Sequence, residues 1–404
     1  MIIRRFLLWA QSASPGQRAE AVSALARSFL YSELSPEERW EAETAMTAML
    51  DDASPLVRRA LAEALANAPA APRHIVIALA NDQADIAALV LARSPLLTDA
   101  DLVDRAALGD VFAQTAIALR VSVAAPVCAA LAEIGACEAL LELLENPGAK
   151  ITHSALARIL ARHGSEPSIR EAMLAREDLP VDIRQSITVA VADALRLFVV
   201  DRGWMSVERT ERVTREAKEK STIALSSGAR QDDVFGLVSH LRETGQLTPA
   251  LILRAVLSQG AAFAEAAFAE LADMPLKRVS GLLQDKRGAG FSALYRKAGL
   301  PAGLYPAFEA AFSALREPQG DGRFAGLALS RRMVERVLSA CAQLSPEEAG
   351  KLLSLLRRYE MEAAREEARE VATALIDDAA LDAALRHVEA GIADAVRLRA
   401  RLAA

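Results

Sequence analysis

Basic and aromatic side chains interleave between Pro275 and Pro306. Lys277, Arg278, Lys286, Arg287, Arg296 and Lys297 stand against one carboxylate, Asp285, so the stretch carries +5 inside a chain of net charge −6. Phe291, Tyr295 and Tyr305 fall among these cations, with Phe308 and Phe312 just beyond. Cations beside aromatic rings can hold a phosphorylated or otherwise anionic partner by charge-assisted hydrogen bonds and stacking. The same residues also suit a tight multi-helix junction. Glycines would then cap helix ends, rings would fill the core, and basic pairs would sit near helix C-termini, where the dipole favours them. The sequence leaves both readings open.

Other chemistry finds little footing. Gly288-Ala-Gly290 lacks the third glycine, the preceding strand and the Lys-Ser/Thr of a phosphate loop. The five histidines, His74, His153, His163, His240 and His387, include no pair at the i, i+4 spacing of a helical metal site. No Gly-x-Ser-x-Gly is present, and Cys128, Cys137 and Cys341 form no Cys-x-x-Cys. Three sparse cysteines read as small core residues of a reducing compartment, and the expected location is the cytoplasm. The five apolar residues that follow Arg5 are too few for the core of a signal peptide, and no run reaches the ~18 a membrane helix needs. Seven lysines among 47 basic residues leave arginine dominant, as a GC-rich genome would, or as selection for bidentate contacts would.

The elements that must carry these residues are helices. Hydrophobic residues make up 52% and aromatics only 4%, so alanine and leucine supply the core, and both favour helix. Ser35-Pro36-Glu37-Glu38 and Ser345-Pro346-Glu347-Glu348 are capping boxes, Thr98-Asp-Ala-Asp101 is an acidic variant, and Thr248-Pro249 is another start. Val22, Leu25, Ala26, Phe29 and Leu30 form one helical stripe. No alternating strand pattern stands out.

A unit also recurs: a turn, a β-branched or aromatic anchor, then an alanine- and leucine-faced helix. The anchors Val57, Ile86, Phe112, Ile151 and Ile183 are spaced 29, 26, 39 and 32 residues apart, which reads as one helix pair each with one long unit. Pro55-Leu-Val57-Arg58 and Asp182-Ile183-Arg184 come closest to the opening of a HEAT repeat's second helix. A single pair cannot bury its own apolar face, so such units stack. On the second helices, Arg58, Arg59, Arg158 and Arg184, with Gln114, His153 and Gln185, are candidates to line a concave face and meet a partner.

Ser94-Pro-Leu-Leu-Thr-Asp-Ala-Asp-Leu102 and Gly288-Ala-Gly-Phe-Ser-Ala-Leu-Tyr-Arg-Lys-Ala-Gly-Leu-Pro301 resemble an uncharacterised alphaproteobacterial domain-of-unknown-function family with HEAT-like helical repeats. The resemblance runs over roughly residues 20–330. It implies an all-helical fold and a bacterial cytoplasmic setting, and no reaction or cofactor.

The expected fold is therefore all-α. A HEAT-like α-solenoid occupies residues 1–200, a charged connecting helix 201–226, a second helical domain 227–320 with the basic and aromatic junction, and C-terminal helices 321–404. Glu317–Gly326 reads as a linker. Leu381, Leu385, Val388 and Ile392 form a short heptad-like stripe, a candidate seam for a homo-oligomer. The expected function is a non-enzymatic scaffold for a protein partner, with no metal, cofactor or membrane span. The acidic balance argues against nucleic acid. A nucleic-acid-binding HEAT-like protein and an enzyme on a helical-repeat frame are the alternatives.

Overall fold

The computed structural model describes residues 2–258, 260–285, 289–316 and 325–341, then 353, 356–365, 368–369, 372–373 and 375–376. The chain divides into two compact units, Met1–Val191 and Ala192–Ala404. Regular structure among the described residues is helical, apart from one isolated parallel bridge between Val123 and Ala149.

The first unit runs α1 (Ile2–Ala10), α2 (Pro15–Tyr31), α3 (Pro36–Ala48), α4 (Pro55–Leu65), α5 (Arg73–Ala80), α6 (Ala84–Arg93), α7 (Asp99–Leu108), α8 (Val111–Ala118), α9 (Ala125–Ile134), α10 (Cys137–Glu145), α11 (His153–His163) and α12 (Pro167–Ala175). The long α13 (Val181–Asp201) carries the chain across the division at Val191. The starts are set by local chemistry. Ser35 and Thr98 make full capping boxes with Glu38 and Asp101, and a third box pairs Ser14 with Gln17.

Packing in this unit follows two interleaved rows. Helices α2, α4, α6, α8, α10 and α12 each pack on the next member of that series, and α7, α9 and α11 do the same beside them. From α4 the first row begins at residues 55, 84, 111, 137 and 167, and from α5 the second begins at 73, 99, 125, 153 and 181. The repeat is thus 26 to 30 residues throughout. This corrects the spacing read from the sequence. Val57, Ile86 and Phe112 lie on α4, α6 and α8 of one row, whereas Ile151 precedes α11 and Ile183 lies on α13 of the other. The 39-residue interval is a step between rows, not a long unit.

Phe112 is no core anchor either, being 71% exposed. Asp110 accepts a hydrogen bond from the Ala113 N–H, which starts α8 at Val111, and packing on α6 and α10 buries Ala113, Gln114, Ala116 and Ile117.

Polar ties recur at the repeat distance. Arg120 donates to the Leu91 and Ser94 carbonyls at the C-terminus of α6 (2.5 and 2.8 Å). Asn146 donates to Ala118 and Arg120 after α8 (both 2.7 Å), and Arg176 to Leu144 and Asn146 after α10 (2.8 and 3.3 Å). In the other row Arg162 reaches Ala132 and Gly135 at the end of α9 (2.7 and 3.1 Å). A helix leaves its last carbonyls without intrahelical partners. Here the element one repeat later supplies the donors.

The second unit contains α14 (Val207–Ser227), α15 (Gln231–Glu243), α16 (Pro249–Leu257), α17 (Ala261–Ala272), α18 (Leu276–Gln284), α19 (Ala289–Lys297), α20 (Tyr305–Leu315) and α21 (Ala325–Cys341). Helix α17 packs on α14, α15, α16, α18 and α19, and its alanines permit close approach. Helix α16 is buried from Leu251 through Leu257. Apart from Arg254 this run is apolar all round, as a core helix is. Residues 317–324 of the expected linker, the box at Ser345 and the stripe at Leu381–Ile392 lie outside the described residues.

Candidate interaction surface

The arginines nominated from the repeats are committed within the fold. Arg58 grips both oxygens of Asp82 (2.6 and 3.0 Å) and donates to the Asp52 carbonyl (2.6 Å). The hydrogen bond from Arg58 to Asp82 raises the pKa of the guanidinium. Arg184 reaches the Leu174 and Arg176 carbonyls, and Arg158 pairs with Glu133 at 2.8 Å. Arg59 is half exposed between Glu63 (3.1 Å) and Asp85 (3.7 Å). Gln114 is buried, bridging the Ala106 carbonyl and the Ala136 N–H, and His153 meets Asp182 at 2.5 Å. These side chains hold neighbouring repeats together rather than forming one open cationic surface.

The basic and aromatic stretch separates into two layers. Phe291 and Tyr295 are buried. With Phe268, Phe308 and Phe312 they form a ring cluster whose centroids lie 5.1 to 6.5 Å apart, mostly edge-on or tilted. The Tyr295 hydroxyl donates to the Pro301 carbonyl at 2.7 Å, and burial pushes its pKa up. Lys277 and Arg278 on α18, and Arg296 and Lys297 on α19, are exposed. Lys286 and Arg287 lie outside the described residues. The rings therefore serve as core, and stacking of a ligand on Phe291 or Tyr295 is closed off. The exposed cations remain as point charges.

A buried ionic group also emerges that no motif announced. Arg254 on α16 is 4% exposed. It donates to Glu362 (2.9 Å), approaches Glu219 of α14 (3.4 Å) and lies 4.2 Å over the Tyr359 ring. Burial raises the Glu219 carboxyl above the usual range. The group ties α14, α16 and the helical segment 356–365 inside the second unit. Among the described residues no set of three His, Cys, Asp or Glu could hold a metal, and no helix is long and apolar enough to cross a membrane.

The main surface feature missed by motif reading lies on α13. Between Arg184 and Asp201 its charged residues are only Asp193 and Arg196. Asp193 faces α14, accepting from Lys218 at 2.7 Å, and Arg196 lies 3.7 Å from Asp193. Phe198 stands on the side away from that pair, with Leu195 on one flank of the helix and Leu197 on the other. Leu195 and Leu197 are each 60% exposed, Phe198 46%, and Trp204 in the turn after the helix 68%. Trp204 stands edge-on to Phe198 at 5.6 Å, and the Arg202 guanidinium lies 5.1 Å over the Phe198 ring. Gly203, at φ +65°, makes the turn possible without side-chain strain. A surface helix ordinarily turns its polar side to water. Here Asp193 pairs toward the neighbouring helix, and exposed apolar residues are spread over the rest of the α13 surface. Sequence carried the signal, because Val189–Val200 is apolar nearly all round while Arg202–Lys220 is densely charged.

Comparison with known proteins gives one family. The chain matches, over residues 86–347, the family described as an uncharacterised protein conserved in bacteria (DUF2336), and it belongs to that family. No curated protein and no solved structure matches it.

Proposed function

We propose that this member of the bacterial family is a non-enzymatic scaffold, with its helix pairs stacked as a HEAT-like solenoid and its partner a protein. The observation that carries the reading is the set of exposed apolar side chains on α13 and its turn, Leu195, Leu197, Phe198 and Trp204. Large exposed apolar patches mark interaction sites on folded proteins. The stacking supports the same reading, since helices follow one another at near-constant spacing and the arginines and Asn146 clamp successive helix ends. Such an array presents a rigid surface and needs no catalytic constellation.

A second contact, to an acidic segment, is favoured by the four exposed cations Lys277, Arg278, Arg296 and Lys297. Affinity capture from bacterial lysate tests both. Leu195→Glu/Phe198→Glu is expected to lose the partner with unchanged circular dichroism, and Lys277/Arg278/Arg296/Lys297→Ala to weaken it in a salt-dependent way. Equal recovery by wild type and the Leu195/Phe198 variant would refute the assignment of the surface.

A further inference from the structure

The second row of the first unit has one loose joint. Helix α7 packs on α9 and α9 on α11, but α5 and α7 do not pack on one another in that way. Arg73 of α5 spans the joint to Asp101 of α7 at 2.6 Å. Between the two helices a cavity of about 280 Å³ opens. Leu91 of α6 and Leu97 line it and are buried, Ile77 and Ala80 face it from α5, and Arg105 and Leu108 face it from α7. We propose that this cavity binds a small carboxylic acid with an apolar body, and that Arg105 holds the carboxylate.

Arg105 is the observation that points to a ligand. Its Nε is shut off from solvent, and its guanidinium makes no hydrogen bond or ion pair among the described residues. Every other part-buried arginine described in the first unit donates to a carboxylate or a carbonyl. A buried donor without an acceptor is costly and uncommon in a folded protein. An acceptor supplied from outside would remove that cost.

The lining selects the class of ligand. A guanidinium fork matches a carboxylate in shape as well as charge. The other polar groups at the cavity do not compete for it. Asp101 is already matched by Arg73 and by the Thr98 hydroxyl, and the Asn81 amide is spent on the Ile77 carbonyl. Asp104 is exposed, where water and salt screen its charge. The leucines, Ile77 and Ala80 leave the rest of the cavity apolar. Its volume lies near the lower end of the range for ligand pockets, about 300 Å³, which suits a small acid and not a nucleotide.

Calorimetry and ligand-observed NMR on the full chain test the proposal, with isocaproate and hydrocinnamate as probes and isocaproamide as the neutral match. Wild type is expected to bind the acids and to prefer isocaproate over its amide. Arg105→Gln is expected to weaken acid binding about 10- to 100-fold and to erase that preference, while Arg105→Lys keeps part of it. Ile77→Phe narrows the cavity and is expected to lose acid and amide alike. Circular dichroism checks that each variant is folded. Wild type that binds neither acid at millimolar concentration would overturn the proposal, as would acid binding that Arg105→Gln leaves unchanged. The site stands apart from the scaffold reading, so protein capture by Arg105→Gln is expected to equal that of wild type. Loss of capture in this variant would give Arg105 to the protein partner and overturn the small-acid assignment.

Discussion

Arg176→Met removes one of the ties between successive repeats and measures what such a tie contributes. The guanidinium is 9% exposed and donates to the Leu144 and Asn146 carbonyls at 2.8 and 3.3 Å. It also grips Asp178, but that carboxylate is 60% exposed and the pair adds little. A hydrogen bond from a charged group contributes about 1.5–3 kcal/mol net, and a carbonyl left unpaired costs about 1–3. The second bond is long and the helix end partly rehydrates, so the expected loss is about 2–3 kcal/mol. For a unit of this size that lowers the melting temperature by roughly 5–10 °C. Arg176→Lys keeps a charged donor for the carbonyls but loses the fork onto Asp178, and should fall between. Denaturant unfolding followed by circular dichroism reads the global change, and hydrogen exchange over residues 137–146 reads the local one. Arg59→Ala is the control. Arg59 and Glu63 are both about half exposed, and the change should stay within about 0.5 kcal/mol. If Arg176→Met cost no more than Arg59→Ala, the carbonyl ties would not be what holds consecutive helices in place.

Three further outcomes follow from particular contacts. The hydrogen bond from Arg18 holds the Asp52 carboxyl below the usual range. Its stabilisation is therefore complete above the ordinary aspartate value near about 4 and is lost as pH falls through the depressed one. The stability gap between wild type and Asp52→Asn should stay level from about pH 8 to 5 and close in more acid solution; a gap that widens in acid would contradict the assignment. Phe268→Ala opens a void beneath Phe291, Tyr295, Phe308 and Phe312 and should cost about 3–5 kcal/mol, with the loss confined to exchange protection in the second unit. Cys128 is buried, its thiol pushed up to about 11 by burial. At pH 8 it should react with iodoacetamide far more slowly than a free thiol, and mass mapping would show labelling first at the part-exposed Cys137.

The helical class, the capping boxes at Ser35 and Thr98 and the anchors Val57 and Ile86 were legible in the sequence because each depends on residues a few positions apart. The row to which an anchor belongs was not. Anchors of both rows follow turns and look alike, so Ile151 and Ile183 were joined to Val57 and Ile86 across rows. Phe112 lies one helical step from the buried side of α8, which packing on α6 and α10 rather than residue type selects. The junction at 275–306 was legible in composition but not in arrangement. Helical phase buries Phe291, Leu294 and Tyr295 and leaves Arg296 and Lys297 outside, and composition carries no phase. The excess of arginine over lysine takes on meaning only once Arg120 and Arg162 are seen to fork onto paired carbonyls, a geometry lysine does not offer.

Within the first unit the carbonyl ties run in one direction along the chain. Arg120, Asn146, Arg162 and Arg176 each reach back to a helix end made 26 to 32 residues earlier. During synthesis the N-terminal parts of a protein emerge and fold first. Each newly made helix of this unit thus arrives carrying the donor for an acceptor already in place, and no finished helix end waits for more than about one repeat of further chain. Assembly by accretion, one helix pair at a time behind the ribosome, is written into the polarity of these bonds.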